Sequence, residues 1–166
     1  MDESSSDWQA WLDRHGPALV LLARQFVPSR GDAEDLVQDA FIRFWRSRNK
    51  VHQPAAYLFA SLRRCALDWH RRRRRQLRRE EHVARQKDEP LFVTALEHDE
   101  RRMAIEAALR ELPAEQSEVL VMKIWGELSF PQIAEALDIS PNTAASRYRY
   151  ALAKLREVLA EEPTYE

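Results

Sequence analysis

Two short helices separated by a tight turn can be recognised in the last third of the chain. Ser129 with Gln132 three residues later is a capping-box pattern, which starts a short helix. The turn that follows ends at Ser140, a preferred N-cap residue, and Pro141 suits the first position of a second helix. These start and stop signals predict a helix-turn-helix.

The second helix of this motif has two chemically different faces. Its apolar side chains fall within about 100° of one another on a 3.6-residue period, which is the width of a normal buried stripe. They are Ala144, Tyr148, Ala151, Leu152, Leu155 and Leu159. The candidate DNA-binding residues lie on the opposite face or at its edge and are Asn142, Thr143, Ser146, Arg147 and Arg149. A recognition helix in the major groove has this arrangement, although paired helices with this spacing also occur in proteins that do not bind DNA.

A basic segment precedes the motif, because residues 63–79 contain nine arginines and one acidic residue. Residues 41–79 carry 13 basic and one acidic side chain, whereas residues 1–40 carry three basic and eight acidic. Residues 80–166 carry 10 basic and 18 acidic, so the net charge of −1 hides a strong segregation. Five consecutive arginines repel one another and predict a surface for a polyanion. The alternative is a solvated, arginine-rich end of a helix.

Composition excludes other classes of protein. Only three glycines and eight prolines occur among 166 residues, which favours helices with short stops over sheets. A single cysteine, Cys65, excludes an internal disulfide framework and a cysteine-based zinc site. No apolar run approaches the roughly 18 residues that span a bilayer, and the acidic start of the chain is unlike a secretory signal. We therefore expect a soluble cytoplasmic protein with no metal or other cofactor.

Apolar periodicity and capping signals predict three helices in the first half of the chain. Their bounds are about Asp7–Phe26, about Asp32–Arg46 with Asp32 as the N-cap, and Pro54 onward into the arginine block. We expect Pro17 to interrupt or kink the first helix. The polar segment 46–53 has no period and is predicted to be a loop. The second helix buries one face and exposes another that carries Asp35, Gln38, Asp39 and Ile42.

The second half is predicted to form a separate small domain. Residues 80–97 are charged, contain Pro90 and lack a sustained period, which is typical of a tether. One helix then starts near Asp99, and another ends near Trp125 with Gly126 as the following C′ residue. The predicted fold is all-α. Its domains are residues 1–79 and residues 99–166, the second containing the helix-turn-helix, and a flexible linker of residues 80–98 joins them.

Two other functions can be considered for these residues. Glu34, Asp35, Asp39 and His70 can be imagined as the metal site of a nuclease. This interpretation is the weaker one, because acids are favoured at the start of a helix in any case and His70 lies among arginines. An autonomous helix-turn-helix repressor is the other alternative. Such proteins generally position half-sites by dimer symmetry, whereas here a different basic segment precedes the motif.

Three segments in the same order resemble the extracytoplasmic-function (ECF) group of bacterial RNA polymerase sigma factors, in its minimal two-domain form. Residues 31–46, GDAEDLVQDAFIRFWR, are similar to the region-two stretch that binds core polymerase. Residues 54–75, PAAYLFASLRRCALDWHRRRRR, are similar to the helix that melts and reads the minus-10 promoter element. Residues 108–159 are similar to region four, which reads the minus-35 element. The resemblance covers nearly all of residues 10–160.

The resemblance implies three sets of site residues and three kinds of partner. Core polymerase would contact Asp35, Gln38, Asp39 and Ile42. Minus-10 DNA would contact Asn49, Lys50, Arg63, Arg64, Arg71 and Arg72, and minus-35 DNA would contact Asn142, Thr143, Ser146, Arg147 and Arg149. The loop 47–53 would cradle an extruded base, whereas Trp69 is assigned to the core. The implied partners are core polymerase, duplex and melted promoter DNA, and an anti-sigma factor of the kind that often holds such proteins inactive. The implied function involves no enzymatic step.

The chain also departs from the family pattern at positions that bear on promoter sequence. Arg64 occupies the position of a common asparagine near the melted strand. Asp138 stands where glycine is usual in the turn of the helix-turn-helix, and aspartate tolerates a left-handed backbone adequately. Ala145 replaces a common lysine and removes one cation from the recognition helix.

Overall fold

The computed structural model describes residues 3–79 and 96–161, with the side chains of residues 8–79 and 100–160. These residues form seven α-helices and one short 3₁₀ helix, and no strand occurs among them. The helices are α1 (Glu3–Phe26), α2 (Arg30–Ser47), the 3₁₀ helix (Arg48–Lys50), α3 (Pro54–Arg79), α4 (Leu96–Arg110), α5 (Ala114–Ile124), α6 (Phe130–Leu137) and α7 (Pro141–Glu161). The predicted all-α fold is confirmed. Residues 80–95, most of the predicted linker, lie outside the described residues.

Pro17 lies inside α1, and the helix continues through it. The predicted interruption of α1 at Pro17 therefore does not occur, and the alternative, a kink at Pro17, stays a prediction. A proline in a helix interior removes a backbone hydrogen bond and costs about 3 kcal/mol. The residues that follow it, Ala18, Leu19 and Leu22, are almost completely buried. Because burial of one leucine side chain contributes about 1.5–3 kcal/mol, packing of this turn offsets the cost of the proline.

Three helices start earlier than the sequence predicted, and the first of them, α1, begins at Glu3 rather than near Asp7. The N-cap of α2 is Ser29, whose hydroxyl accepts a hydrogen bond from the backbone N–H of Asp32 at 3.0 Å. Asp32 is thus the third residue of the helix rather than its cap, and its carboxylate accepts a hydrogen bond from the Ser29 hydroxyl at 2.7 Å. Likewise α4 begins at Leu96, so Asp99 lies in its first turn. An acidic residue in a first turn is favoured by the helix dipole and can be mistaken for a cap.

The helix-turn-helix forms with the predicted caps. The Ser129 hydroxyl accepts from the backbone N–H of Gln132, and the Gln132 side chain accepts from the backbone N–H of Ser129 at 2.8 Å. Asp138 ends α6 in the left-handed conformation, with φ of 54°. The Ser140 hydroxyl then accepts from the backbone N–H of Thr143 at 3.0 Å and starts α7. Local polar chemistry therefore sets both ends of the turn.

Burial along α7 decreases toward its C-terminus. Ala144 and Ala151 are fully buried, whereas Tyr148 and Leu155 are partly buried. Leu159 is half-exposed, so its predicted place in the buried stripe is wrong. No described residue of α7 beyond its midpoint at Ala151 is fully buried, and the helix extends beyond the part that its neighbours cover.

The two halves of the described chain pack against each other and share one hydrophobic core. In the first half α2 packs on α1 and α3, and in the second half α7 packs on α5 and α6. Contacts of α1 with α4 and α5, and of α3 with α6, join the halves. Buried residues from both halves, such as Leu62 of α3 and Leu120 of α5, belong to one continuous cluster.

Gly126 lies at a close approach between the two halves. A Cβ atom at this position would be 2.6 Å from the carbonyl oxygen of Met122 and 2.9 Å from Cζ of Phe59 in α3. The positive φ of this connection belongs to Glu127, at 54°, and no glycine among the described residues has a positive φ. Gly126 is therefore required by the lack of space, and it follows α5 directly as the sequence predicted.

We expect Gly126→Ala to destabilise the fold by about 1–3 kcal/mol, because a new methyl group must displace a backbone carbonyl or an aromatic ring. Gly16→Ala is the matched control, since a Cβ atom added there would have no atom within 4 Å apart from its chain neighbours and the backbone of its own helix. That substitution should stabilise α1 by up to about 1 kcal/mol through helix propensity. Urea unfolding followed by circular dichroism measures both changes, and equal stability of the two variants would contradict the packing argument.

Candidate nucleic-acid interface

The C-terminal part of α3 is an exposed helix of arginines. Every residue from 71 to 79 is exposed, whereas α3 is buried on one stripe as far as Trp69. Trp69 packs partly against the core, and the guanidinium of Arg73 lies 5.8 Å from the centre of its ring. A cleft of about 500 Å³ opens here, lined by Asp32, Trp69, Arg72, Arg73, Arg75, Gln76 and Arg79. The predicted polyanion surface is thus a basic cleft with one aromatic wall.

The segment between α2 and α3 is ordered by Arg48. Its guanidinium lies 4.2 Å from the ring centre of Trp45 and donates a hydrogen bond to the carbonyl oxygen of Trp45 at 2.6 Å. The predicted loop therefore contains a 3₁₀ turn, in which Asn49 and Lys50 are exposed. An ion pair between Arg43 of α2 and Asp68 of α3, 3.3 Å long, holds the two helices that flank this segment.

The predicted minus-10 residues differ in how freely they can bind a ligand. Arg64 and Arg72 are exposed, and Arg71 is exposed with a 3.5 Å contact to Asp68 one turn earlier. Arg63 instead points to the other half of the chain, where its Nε donates to Oε2 of Glu118 at 3.2 Å. Arg63 is therefore occupied in this arrangement, which the sequence did not predict.

The polar face of α7 is partly engaged in contacts within the protein. Asn142 and Arg149 are exposed, and Arg149 lies 3.4 Å from the Ser146 hydroxyl. The hydroxyl of Thr143 is 2.8 Å from that of Ser140, so it belongs to the cap of the helix. Arg147 pairs with Glu115 of α5 at 2.9 Å, and only 25% of its side chain is exposed. The front of the helix thus presents Asn142, Ser146 and Arg149, while Arg147 lies against α5.

The exposed face of α2 carries the residues predicted for polymerase binding. Asp35, Gln38, Asp39 and Ile42 are all exposed, and Ile42 is 47% exposed although it is apolar. The opposite face of α2 is buried in the core, as the periodicity indicated. The structure therefore places all four residues on one accessible, acidic surface.

An apolar groove that was not predicted from the sequence adjoins this face. It has a volume of about 360 Å³ and is lined by Trp8, Gln9, Leu12, Phe41, Ile42, Trp45 and Arg46. Trp45 is itself 39% exposed, and its ring stacks on Phe41 with centroids 6.0 Å apart. The apolar pair Phe41 and Trp45, four residues apart on α2, was the available signal for this groove.

The acids of the nuclease alternative do not gather into a metal site. Glu34 forms an ion pair with Arg30 one turn away at 2.9 Å. Within residues 3–79 and 96–161, no three His, Cys, Asp or Glu side chains are grouped closely enough to hold a metal ion. Across the same residues, every helix is too short or too polar to cross a membrane.

Glu118 is a buried carboxylate at the interface between the halves. Its side chain is only 8% exposed, and burial raises the pKa of its carboxyl group above the ordinary value. The positive charges of Arg63 and Arg147 lower this pKa, but they do not cancel the effect of burial. Arg63 lies 55 positions from Glu118 in the sequence, and no linear pattern pairs them. The tertiary structure alone brings the two together.

Two family models match the chain over its two halves. The model described as Sigma-70 region 2 matches residues 11–76, and the model described as Sigma-70, region 4 matches residues 102–155. The first match contains α2 and the basic part of α3 up to residue 76, and the second contains the helix-turn-helix. The matches thus cover the basic segment as well as the helix-turn-helix.

Similar proteins agree with these matches over most of the chain. The RNA polymerase sigma-E factor of Streptomyces coelicolor is 28% identical over 156 residues, which cover 92% of this chain and 86% of the relative. The ECF RNA polymerase sigma factor SigL of Mycobacterium tuberculosis is 30% identical over 159 residues, covering 92% and 89%. The fold is also similar to that of the sigma factor RpoE from Bartonella quintana, solved in complex with the anti-sigma factor NepR. The TM-score is 0.68 and the sequence identity is 24%. The match covers 95% of this chain and 99% of the RpoE chain. At this identity the structural match shows the fold.

Replacement of Glu118 by glutamine should change how the stability of the protein depends on pH. A carboxyl group with a raised pKa in the folded state binds its proton more tightly there, so its contribution to stability is lost as pH rises through that pKa. The free energy of unfolding of the wild type, relative to that of Glu118→Gln, should therefore fall as pH rises above about 4.3, the ordinary pKa of a glutamate carboxyl group. Denaturant titrations at a series of pH values measure this fall. Glu111→Gln, at an exposed position, should show no such trend, and parallel profiles for all three proteins would contradict the assignment.

Proposed function

The chain belongs to the ECF group of RNA polymerase sigma factors, and we propose that it binds core polymerase through the exposed face of α2 and reads promoter DNA through α3 and the helix-turn-helix. As a sigma factor it binds RNA polymerase core enzyme and directs promoter recognition, DNA melting and transcription initiation. The observation that carries the assignment of surfaces is the separation of charge: an acidic face on α2 and a basic cleft on α3, on separate surfaces of one small core.

The polymerase-binding surface combines a charged face with an apolar anchor. Asp35 and Asp39 would meet a basic surface, and Ile42 together with the aromatic groove beside it would bury apolar area. Protein interfaces commonly have this composition, in which a few buried apolar side chains supply most of the affinity and charges set orientation. We therefore extend the site to Trp45, which lines the groove and is exposed.

The minus-10 surface comprises the turn between α2 and α3 together with the exposed arginines of α3. Asn49 and Lys50 would approach an extruded base, and Arg64, Arg71 and Arg72 would bind phosphates. Electrostatic contacts to phosphates supply much of the affinity of DNA-binding proteins. Trp69, on the wall of the basic cleft, combines a core position with one accessible side. Arg63 joins this surface after it leaves Glu118.

The minus-35 surface is the N-terminal half of α7. Asn142, Ser146 and Arg149 are available for contacts in the major groove. Thr143 has its hydroxyl tied to Ser140, so its contact with DNA would use the methyl group or a reoriented hydroxyl. Arg147 would exchange Glu115 for a guanine edge, a contact that arginine makes in bidentate geometry.

The remaining parts of the proposal concern organisation and partners. We place the domain that contains region two at residues 1–79 and the domain that contains region four at residues 99–166, with residues 80–98 as the linker. The first turn of α4 then falls within that linker. An anti-sigma factor is a further partner, since the similar RpoE was solved in complex with one. The protein would act in the cytoplasm, where it contributes binding energy and no enzymatic chemistry.

In-vitro transcription tests the polymerase-binding face. Core polymerase with this protein should produce promoter-specific transcripts from a pool of genomic fragments. The double variant Asp35→Lys with Asp39→Lys should bind core polymerase at least about tenfold more weakly, because two attractive contacts become repulsive. Its transcripts should decrease accordingly.

The matched control carries Asp13→Lys and Glu157→Lys, two exposed carboxylates outside this face, and has the same net charge. The control should retain transcription and core affinity. If both double variants bound core polymerase as tightly as the wild type does, the α2 face would not be the docking surface.

Promoter selection with the holoenzyme tests base reading by α7. Arg147→Ala should cost about 1–3 kcal/mol and relax the preference at one minus-35 position. Arg149→Ala should weaken binding evenly across sequences and reduce the salt dependence by about one phosphate contact. The measurement is enrichment from a library randomised over the minus-35 element. An even loss across all sequences for Arg147→Ala would reassign this arginine to the DNA backbone.

A further inference from the structure

Two carboxylates on the first turns of α5 occupy two arginines that we assign to DNA. Glu115 binds Arg147 of the helix-turn-helix at 2.9 Å, and Glu118, three residues later on the same helix, binds Arg63 of α3 at 3.2 Å. Arg147 also acts electrostatically on Glu118, so the four side chains form one charge network. One short stretch of α5 therefore neutralises an arginine from each of the two DNA-reading helices.

We propose that Glu115 and Glu118 act as an internal substitute for promoter DNA: they hold Arg63 and Arg147 in the free chain, and promoter DNA has to displace them. This inference rests on the proposed function, because that function assigns the two arginines to the minus-10 and minus-35 elements. The inference assigns a role in DNA binding to two acidic residues that do not themselves contact DNA.

The distances within the protein are incompatible with DNA bound at both elements. Residues three apart on a helix have Cβ atoms about 5–6 Å apart, so the two guanidinium groups lie within about 20 Å of each other. The minus-10 and minus-35 elements are about 25 base pairs apart, which is about 85 Å of duplex at 3.4 Å per base pair. A compact chain of this length has a radius of gyration of about 15 Å, or a diameter of about 40 Å. Arg63 and Arg147 must therefore separate before both elements are read.

The burial of the four groups shows which of them can move. Glu118 is 8% exposed, whereas Arg63 is 39% exposed and extends toward it from α3. Glu115 is 70% exposed, and Arg147 is the more buried partner of that pair. The arginine of the first pair can reach solvent or DNA, but Glu118 then remains as a buried carboxylate without its partner, which is costly. This cost favours the occupied arrangement until phosphates compensate for it.

Other contacts hold the same arrangement without involving a DNA-binding residue. Arg24 of α1 binds Glu106 of α4 at 3.3 Å, where both side chains are mostly buried, and Arg14 of α1 binds Glu127. Gln25 of α1 and Ser117 of α5 are 3.4 Å apart. The halves are thus joined by a set of polar contacts. Among these contacts, the Arg63–Glu118 pair is the one that contains an arginine assigned to promoter DNA.

The salt dependence of DNA binding by the free, full-length chain tests the proposal. The probe is a mixed-sequence DNA duplex that is longer than the distance between the two promoter elements. The double variant Glu115→Gln with Glu118→Gln should bind it more tightly, and the slope of log affinity against log salt should be steeper by about 1.8. The reason is that two more arginines are free to contact phosphates, each contributing about 0.9 to the slope. Glutamine keeps the size of the side chain, so the packing around α5 is preserved.

The control is Glu111→Gln with Glu135→Gln, which makes the same change in net charge at exposed positions. Because Glu118 is buried, Glu115→Gln alone is measured as well. This exposed position cannot disturb the core, and its slope should be steeper by about 0.9. Slopes for the double variant and for Glu115→Gln that equal those of the control would overturn the proposal.

Transcription with core polymerase separates this inference from the proposed function. If the wild type directs no promoter-specific transcripts, the proposed function fails, whatever the slopes show. If transcription occurs and the slopes match the control, the proposed function stands and the role of Glu115 and Glu118 as internal competitors fails.

Discussion

The burial of α3 against two different partners determines which surfaces of the molecule remain accessible. One side of α3 packs on α2, where Phe44 and Leu62 are fully buried, and Phe59 faces the end of α5 at Gly126. Because α2 is buried on the side that faces α3, its acidic side is turned outward. Because the apolar stripe of α3 ends at Trp69, the arginines that follow extend into solvent. Core packing thus assigns opposite charges to separate surfaces.

The same packing creates a conflict between assembly and DNA binding. An arginine that reads DNA has to be exposed and free of acidic partners, whereas a buried carboxylate at an interface is destabilised when its cationic partner leaves. Under the proposed function Arg63 takes part in both, since Glu118 of the other half binds it. Arg147 is bound by Glu115 within its own half. Arg24, which binds Glu106, serves the interface alone. Under that proposal the protein contains two kinds of ion pair, which differ in whether a nucleic acid competes for the arginine.

Much of the fold and part of the candidate site could be predicted from local chemistry. The caps at Ser129 and Ser140 depend on side chains three residues away, so the sequence contains their whole physical cause. The exposed face of α2 follows from its period in the same way. The start of α2 was misplaced because Ser29 and Asp32 are both good capping residues, and only the geometry of the turn selects between them. The continuation of α1 through Pro17 could not be predicted, because the cost of the proline is local, whereas the burial that offsets it is tertiary.

The sequence by itself determined the order of the helices, the caps of the helix-turn-helix, the separation of charge and the family, because each of these depends on neighbouring residues or on an ordered set of motifs. Only the tertiary structure decided which predicted DNA-binding residues are free. Arg64 and Arg63 are adjacent in the sequence and chemically identical, yet Arg64 is exposed and Arg63 is bound to Glu118. The physical reason is that an ion pair depends on the distance between two groups in space, and successive side chains on a helix point about 100° apart. Which of them meets a distant acid is set by how the helices pack.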